Sequence, residues 1–310
     1  LIECSAAGVP ATSAMLARAP TERERTRAYT YVYNIAFGVS GILAPAAGGW
    51  VADLAGYRAV FVVSAVFLGF GTLVSLGLSS GGPRGPRSGA TQDGAQAVGY
   101  LALLTMPAML IVLAFHFVVP LSLGIGTALQ ANFLVDERGL RVGLVGTLGS
   151  VNALAGLVLS LALAHWRRMP SAFAGIALCV ALVSASFGLL LASGALGVVA
   201  LAFALRSGFG AVWPLLAAAV AGATPERSRG RAYGLAEFSV GVADVLAPLS
   251  AGLLYGVSRG LPLWVGMLGA LPVAAAALLV HRFRLRLAFR SGERPVAELP
   301  VVTPTAGDAL

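Results

Sequence analysis

"RAYTYVYNIAFGVSGILAPAAGGW" fills Arg27–Trp50, and "RAYGLAEFSVGVADVLAPLSAGLL" fills Arg231–Leu254. Both open on Arg-Ala-Tyr behind a run of acids and arginines, and both reach Ala-Pro followed by small residues. Ala28 matches Ala232 at an offset of 204 and Pro45 matches Pro248 at 203, so one residue is gained or lost between them. The likeness extends backwards, ARAPTERERTRAY against AGATPERSRGRAY, and forwards to Phe61 against Trp264. Apolar helices resemble one another by chance, but an apolar composition does not impose a matched charged loop. Two spans and their flanking loops are therefore written twice, the second copy beginning about six spans after the first begins.

The surroundings of the repeat fix the class. Of 310 residues, 58% are hydrophobic and 11% charged, against roughly 25% charged in soluble proteins. Uncharged runs cover Ala28–Ala52, Ala59–Pro83, Gly94–Val135 and Gly260–His281. A hydrocarbon core about 30 Å thick takes about 20 apolar residues of helix to cross. These runs are continuous rather than alternating, which predicts membrane helices and not barrel strands. Cutting at charged and Gly/Pro/Ser-rich gaps gives a truncated span, Leu1–Leu16, and eight full ones: 28–53, 59–79, 101–133, 142–165, 171–192, 195–223, 232–256 and 261–281. Pro107 and Pro120 predict a kink in the third of these.

The net charge of +8 does not point to nucleic acid, because the basic residues sit in short gaps between apolar runs and form no single face. All 21 are arginine. Sixteen fall in alternate gaps and the tail, and Arg58, Arg138, Arg141 and Arg259 fall in the others. Positive residues mark the cytoplasmic side, so the first set and the C-terminus are expected there. SSGGPRGPRSGATQDG (Ser79–Gly94) reads as a flexible cytoplasmic linker. The tail opens on RFRLRLAFR, suited to the anionic inner leaflet, and then turns polar and disordered in composition. Cys4 and Cys179, far apart, give neither a disulfide framework nor a metal site. Beginning at Leu1 inside an apolar segment, the chain reads as a fragment that lacks an N-terminal part.

SGILAPAAGG (Ser40–Gly49) is similar to the antiporter motif of the major facilitator superfamily, with Pro45, Gly48 and Gly49 in place and Ser40 and Ala44 standing for glycines. LRSGFGA (Leu205–Ala211) resembles that family's Arg-bearing pattern, at the repeat-related tenth helix rather than the fourth, and GLRVGLVGTLGSVNAL resembles the start of the eighth. The resemblance spans the chain as the end of helix four through helix twelve. It implies an all-α integral membrane fold of two pseudo-symmetric six-helix bundles, the N-terminal one incomplete here. The expected division is 1–79 for the remainder of that bundle, 80–98 for the linker, 99–281 for the C-terminal bundle and 282–310 for a cytoplasmic tail. It also implies that the two halves rock against each other around a central site. The interface would be lined by Pro45, Gly48 and Gly49 and by their repeat mates Pro248 and Gly252, since small residues let membrane helices approach closely.

Ionisable groups inside spans are costly and therefore informative. Asp244 lies near the middle of its span, with Glu237 seven residues earlier on the same helix face. Arg206 falls at a similar depth in the preceding span, so an Arg206–Asp244 pair is expected, serving either proton coupling or structure. Glu237 leans to a structural role, and His116 is a candidate proton relay or a satisfied core histidine. Tyr31, Tyr33, Asn34 and Asn152 are further polar groups at span positions. The cavity helices of the family favour Gln130, Asn132 and Trp213 as substrate contacts. No Walker loop, metal-ligand spacing, Ser/His/Asp set or nucleotide fingerprint occurs, so no enzyme activity and no cofactor is expected. The partners implied are the lipid bilayer, a small-molecule substrate and protons. The antiporter-like motif favours proton-coupled efflux of small amphiphilic compounds across the cell membrane. An uptake permease for a sugar or other metabolite, and a non-transporting sensor on the same fold, are the rivals.

The arginine asymmetry makes a direct prediction. In intact cells, with Cys4 and Cys179 replaced, a cysteine at Gly85 should resist a membrane-impermeant thiol reagent and one at Ser258 should react. The reverse labelling would invert the orientation.

Overall fold

Within hydrocarbon each peptide group must find its partner inside its own segment or a closed sheet. The computed structural model, which describes residues 37–77, 99–165, 171–224 and 228–291, meets that demand with helix, and no strand occurs among the described residues. The helices are α1 (Phe37–Gly77), α2 (Tyr100–Leu104), α3 (Pro107–Ala128), α4 (Gln130–Asp136), α5 (Val142–His165), α6 (Ala172–Ala192), α7 (Leu196–Arg206), α8 (Gly208–Ala223), α9 (Arg229–Val257) and α10 (Leu261–Ser291). Among the described residues, seven helical stretches are long and apolar enough to cross a membrane by length and composition. The expected span Leu1–Leu16, the first residues of the span 28–53, the linker Ser79–Gly94 and the end of the tail lie outside the described residues.

α1 holds two of the expected spans. It is broken at Gly56 (φ 80°, ψ 166°), a conformation that a residue with a Cβ avoids. Its arms, 37–55 and 57–77, match the spans expected at 28–53 and 59–79. The expected kink in the third span is placed differently. Pro107 starts α3 as its first residue, where a missing N–H costs nothing, and α3 runs through Pro120 without ending. The interruption falls instead at Leu129 (φ −114°, ψ 17°). Two residues earlier the Thr127 hydroxyl donates to the Leu123 carbonyl at 3.0 Å and to that of Gly124 at 3.3 Å, and such back-bonding weakens a ladder locally. The tail differs too: α10 does not stop at His281 but carries the basic run onward as helix to Ser291.

The bundle is assembled on α6, which packs against α10, α8 and α7, while α3 lies between α9 and α10. Phe173, Ile176, Cys179, Val180, Val183, Phe187 and Leu190 of α6 are all buried. Glycines set the distances. A Cβ on Gly266 of α10 would lie 2.8 Å from the Cα of Gly126 on α3, and one on Gly208 of α8 would lie 2.6 Å from the Cys179 carbonyl oxygen. These helices touch backbone to backbone, as expected where lipid offers no hydrophobic drive for association.

Polar groups tie the helix ends. Arg138 Nη2 donates to the Leu190 and Leu191 carbonyls, both at 2.9 Å, so a cation satisfies the C-terminus of α6. At the same end Tyr255 donates to Asp136 Oδ2 at 2.8 Å and Arg259 pairs with Glu137 at 3.1 Å. At the other end Ser171 Oγ and His281 Nδ1 join α6 to α10 at 2.8 Å.

Gly266→Ala forces backbone apart and should destabilise the protein by about 1–3 kcal/mol. Gly256→Ala, whose Cβ would meet nothing within 4 Å, should be neutral or slightly stabilising in helix. Thermal melting in detergent compares the two.

Candidate functional site

Two places in the fold gather the residues with functional signals. The first is the seam between the first arm of α1 and α5. GLVGTLG (Gly143–Gly149) repeats glycine every third residue, placing Gly143, Gly146 and Gly149 along one helix face. That face meets Pro45 and Gly49. A Cβ on Gly49 would lie 2.9 Å from both Gly146 Cα and the Val142 carbonyl oxygen, one on Gly149 would lie 2.9 Å from Pro45 Cβ, and one on Gly146 would strike the Pro45 carbonyl oxygen. Pro45 displaces the carbonyl four residues back, and the adjacent Ala46 N–H donates across the seam to Ser150 Oγ at 3.2 Å. Trp50 Nε1 donates to Thr147 Oγ1, also at 3.2 Å.

One end of the seam is polar. The Gly143 N–H, in the first turn of α5, donates to Asp53 Oδ2 at 2.9 Å. Arg141 Nε stands 3.9 Å from the same oxygen, with its side chain largely exposed. A carboxylate from one helix thus caps the N-terminus of another, where the helix dipole favours negative charge. Neither Asp53 nor the glycines of α5 stand out from the repeat, although the three-residue glycine spacing is a signal for the latter.

The expected interface set divides. Pro45 and Gly49 are in the seam. Gly48 is not: a Cβ there would meet nothing within 4 Å, because it is turned one residue around the helix from Gly49. The repeat mates Pro248 and Gly252 lie on an exposed face of α9, and a Cβ on Gly252 would likewise meet nothing within 4 Å. The contact they were expected to line is not formed among the described residues.

The second place is a polar cluster inside the bundle. Arg206, the last residue of α7, lies partly buried within the apolar stretch Leu196–Ala223. Its Nη1 donates to Gln130 Oε1 at 3.3 Å and its Nε to Asn152 Oδ1 at 3.4 Å. Its guanidinium carbon stands 5.0 Å from the centroid of the Phe203 ring. Gln130 is buried at the break between α3 and α4, and its Nε2 has no hydrogen-bond partner among the described residues. The expected Arg206–Asp244 pair is therefore replaced by Arg206 with Gln130 and Asn152. Asp244 lies on the exposed face of α9, and α9 packs chiefly on α3 while α7 packs on α6 and α5. Similar depth did not make the two residues neighbours.

The remaining candidates separate in the same way. Asn132 is exposed on α4. Trp213 of α8 is partly buried, edge-on to Phe209 with ring centroids 6.0 Å apart. His116 is buried on α3, with Nδ1 2.8 Å from the Val112 carbonyl oxygen. That contact requires the proton on Nδ1 and leaves Nε2 as the acceptor. Glu237 is exposed on α9, the helix that packs against α3. The structure thus brings together Arg206 with Gln130 and Asn152. Among the described residues no group of three or more His, Cys, Asp or Glu could hold a metal ion.

The family model of the Major Facilitator Superfamily matches residues 4–204 and 116–305. No curated protein matches the chain.

The seam makes a prediction that separates two adjacent glycines. Gly49→Ala should destabilise by about 1–3 kcal/mol and impair whatever movement the seam serves. Gly48→Ala should stay within about 0.5 kcal/mol. Melting of the two variants side by side checks this, and equal effects would contradict the packing.

Proposed function

The chain belongs to the Major Facilitator Superfamily, a family of secondary transporters, and from that membership we propose that it expels small amphiphilic compounds in exchange for protons by alternating access. The observation that carries this reading is the α1–α5 seam. Its antiporter-like Pro45 and Gly49 meet a glycine face at backbone distance, and a contact built mainly from small residues suits two bodies that rock. In this reading residues 1–79 are the remainder of the N-terminal bundle, 80–98 link it to the second at 99–281, and 282–310 form a tail on the cytoplasmic side.

Proton coupling is assigned to His116 and Glu237. A neutral imidazole with Nδ1 committed to a carbonyl offers Nε2 to an incoming proton, and Glu237, on the helix packed against α3, is the carboxylate assigned to help it. Movement of α9 against α3 would alter that help and hence the proton affinity on the two sides. Arg206 and the Phe209–Trp213 pair are assigned to the substrate. Asp244 is kept as a further acid on α9 assigned to proton exchange.

The test uses the protein in proteoliposomes with a panel of amphiphilic dyes. An imposed pH gradient should drive dye movement, and a protonophore should abolish it. His116→Ala should lose most gradient-driven movement, on the order of tenfold or more as for loss of a positioned proton carrier, while dye-for-dye exchange continues. Transport that ignores the pH gradient in the wild type would rule out the coupling.

A further inference from the structure

Among the described residues Arg206 forms no ion pair. Between described residues the ion pairs are Arg141–Asp53 and Arg259–Glu137, and the partners of Arg206 are an amide oxygen of Gln130, an amide oxygen of Asn152 and the ring of Phe203. All three are neutral. Arginine stays protonated in such surroundings, and a cation at membrane depth is held at a cost that a functional partner usually offsets. Nη2 makes no hydrogen bond to any described residue, while Nε and Nη1 are fixed by Asn152 and Gln130. The guanidinium is thus aimed by two amides with one edge left over. Gln130 supplies a second unmatched donor: its Oε1 is committed to Arg206, which fixes the amide, and its buried Nε2 has no acceptor. Phe209 and Trp213 follow Arg206 at three and seven residues, which puts this aromatic pair one and two turns away on the same side.

A cation with a free edge, an adjoining unmatched N–H donor and an aromatic strip describe complementary chemistry on the ligand. We propose that the transported compound is an amphiphilic anion whose carboxylate, sulfonate or phosphate binds Arg206, with its apolar body lying along Phe209 and Trp213. This rests on the transport reading above and narrows it: cationic amphiphiles are repelled at Arg206, and neutral ones gain only the aromatic contact. Gln130 and Asn152 are positioning residues that aim the guanidinium.

Two fluorescent probes of the same ring system separate head from body: anilinonaphthalenesulfonate carries an anion, and N-phenylnaphthylamine carries none. They are titrated into the whole protein in a nonionic detergent, where no lipid phosphate competes. A charge-assisted contact should give the sulfonate an advantage of about tenfold. Arg206→Gln should erase that advantage and leave N-phenylnaphthylamine unchanged, Arg206→Lys should retain part of it, and Trp213→Ala should weaken both probes alike. Equal affinities in the wild type, or undiminished sulfonate binding in Arg206→Gln, would overturn the proposal. Should Arg206→Gln fail to fold, competition in the wild type decides. Naphthalenesulfonate should displace the bound probe and naphthylmethylammonium should not, and displacement by both would also overturn it. The outcome is separable from that of the transport reading. Selective binding with no movement in liposomes sinks transport alone, and proton-driven movement without selectivity sinks the anion alone.

Discussion

In hydrocarbon a helix gains nothing by hiding an apolar side chain, because the solvent is as apolar as the side chain. Helices stay together only where their backbones come close enough for dense van der Waals contact or where polar groups meet. The rest of this structure depends on that constraint. It is why Gly126 faces Gly266, why Gly208 sits against the Cys179 carbonyl, and why Gly49 meets Gly146. The same condition makes each polar group inside the bundle conspicuous. Arg206, Gln130, Asn152 and His116 are held by one another or by backbone carbonyls.

In the proposed transport cycle the two places answer different needs. The seam must hold and release, and it is built from small residues with hydrogen bonds along its length from Ala46, Trp50 and Gly143. The interior cluster must recognise, and it is built from an arginine whose direction is set by two amides. Both use broken or weakened helix: Pro45 redirects an N–H toward α5, and the interruption at Leu129 places Gln130 against Arg206.

Much of the fold was legible because membrane spans announce themselves by length and composition alone. The break at Gly56 fell in the gap between two spans, and the first copy of the repeat holds Pro45 and Gly49, two of the small residues in the seam. What stayed hidden depended on rotation about a helix axis. Gly48 and Gly49 are equivalent in the motif, yet only Gly49 faces α5. Arg206 and Asp244 were matched by depth, but depth says nothing about which helices are adjacent, and α7 and α9 pack elsewhere. An all-round apolar helix leaves no polar stripe to report its rotation. The caps supplied by Asp53 and Arg138 were hidden for a related reason: each joins helices far apart in sequence, and loop charges read as orientation signals without indicating a partner.

The α1–α5 seam has one more consequence, in dynamics. Glycine, alanine and proline lose essentially no rotamer freedom when buried, so the faces built from Pro45, Gly49, Gly143, Gly146 and Gly149 have almost no side-chain configuration to freeze on closing or to melt on opening. A contact of leucines would have to select rotamers afresh at every cycle, and its friction would rise steeply as the temperature fell. A contact of bare backbone behaves as a plain bearing, smooth in both directions. If the proposed rocking takes place at this seam, the resistance to it would come from the few hydrogen bonds that cross the contact rather than from the contact surface itself.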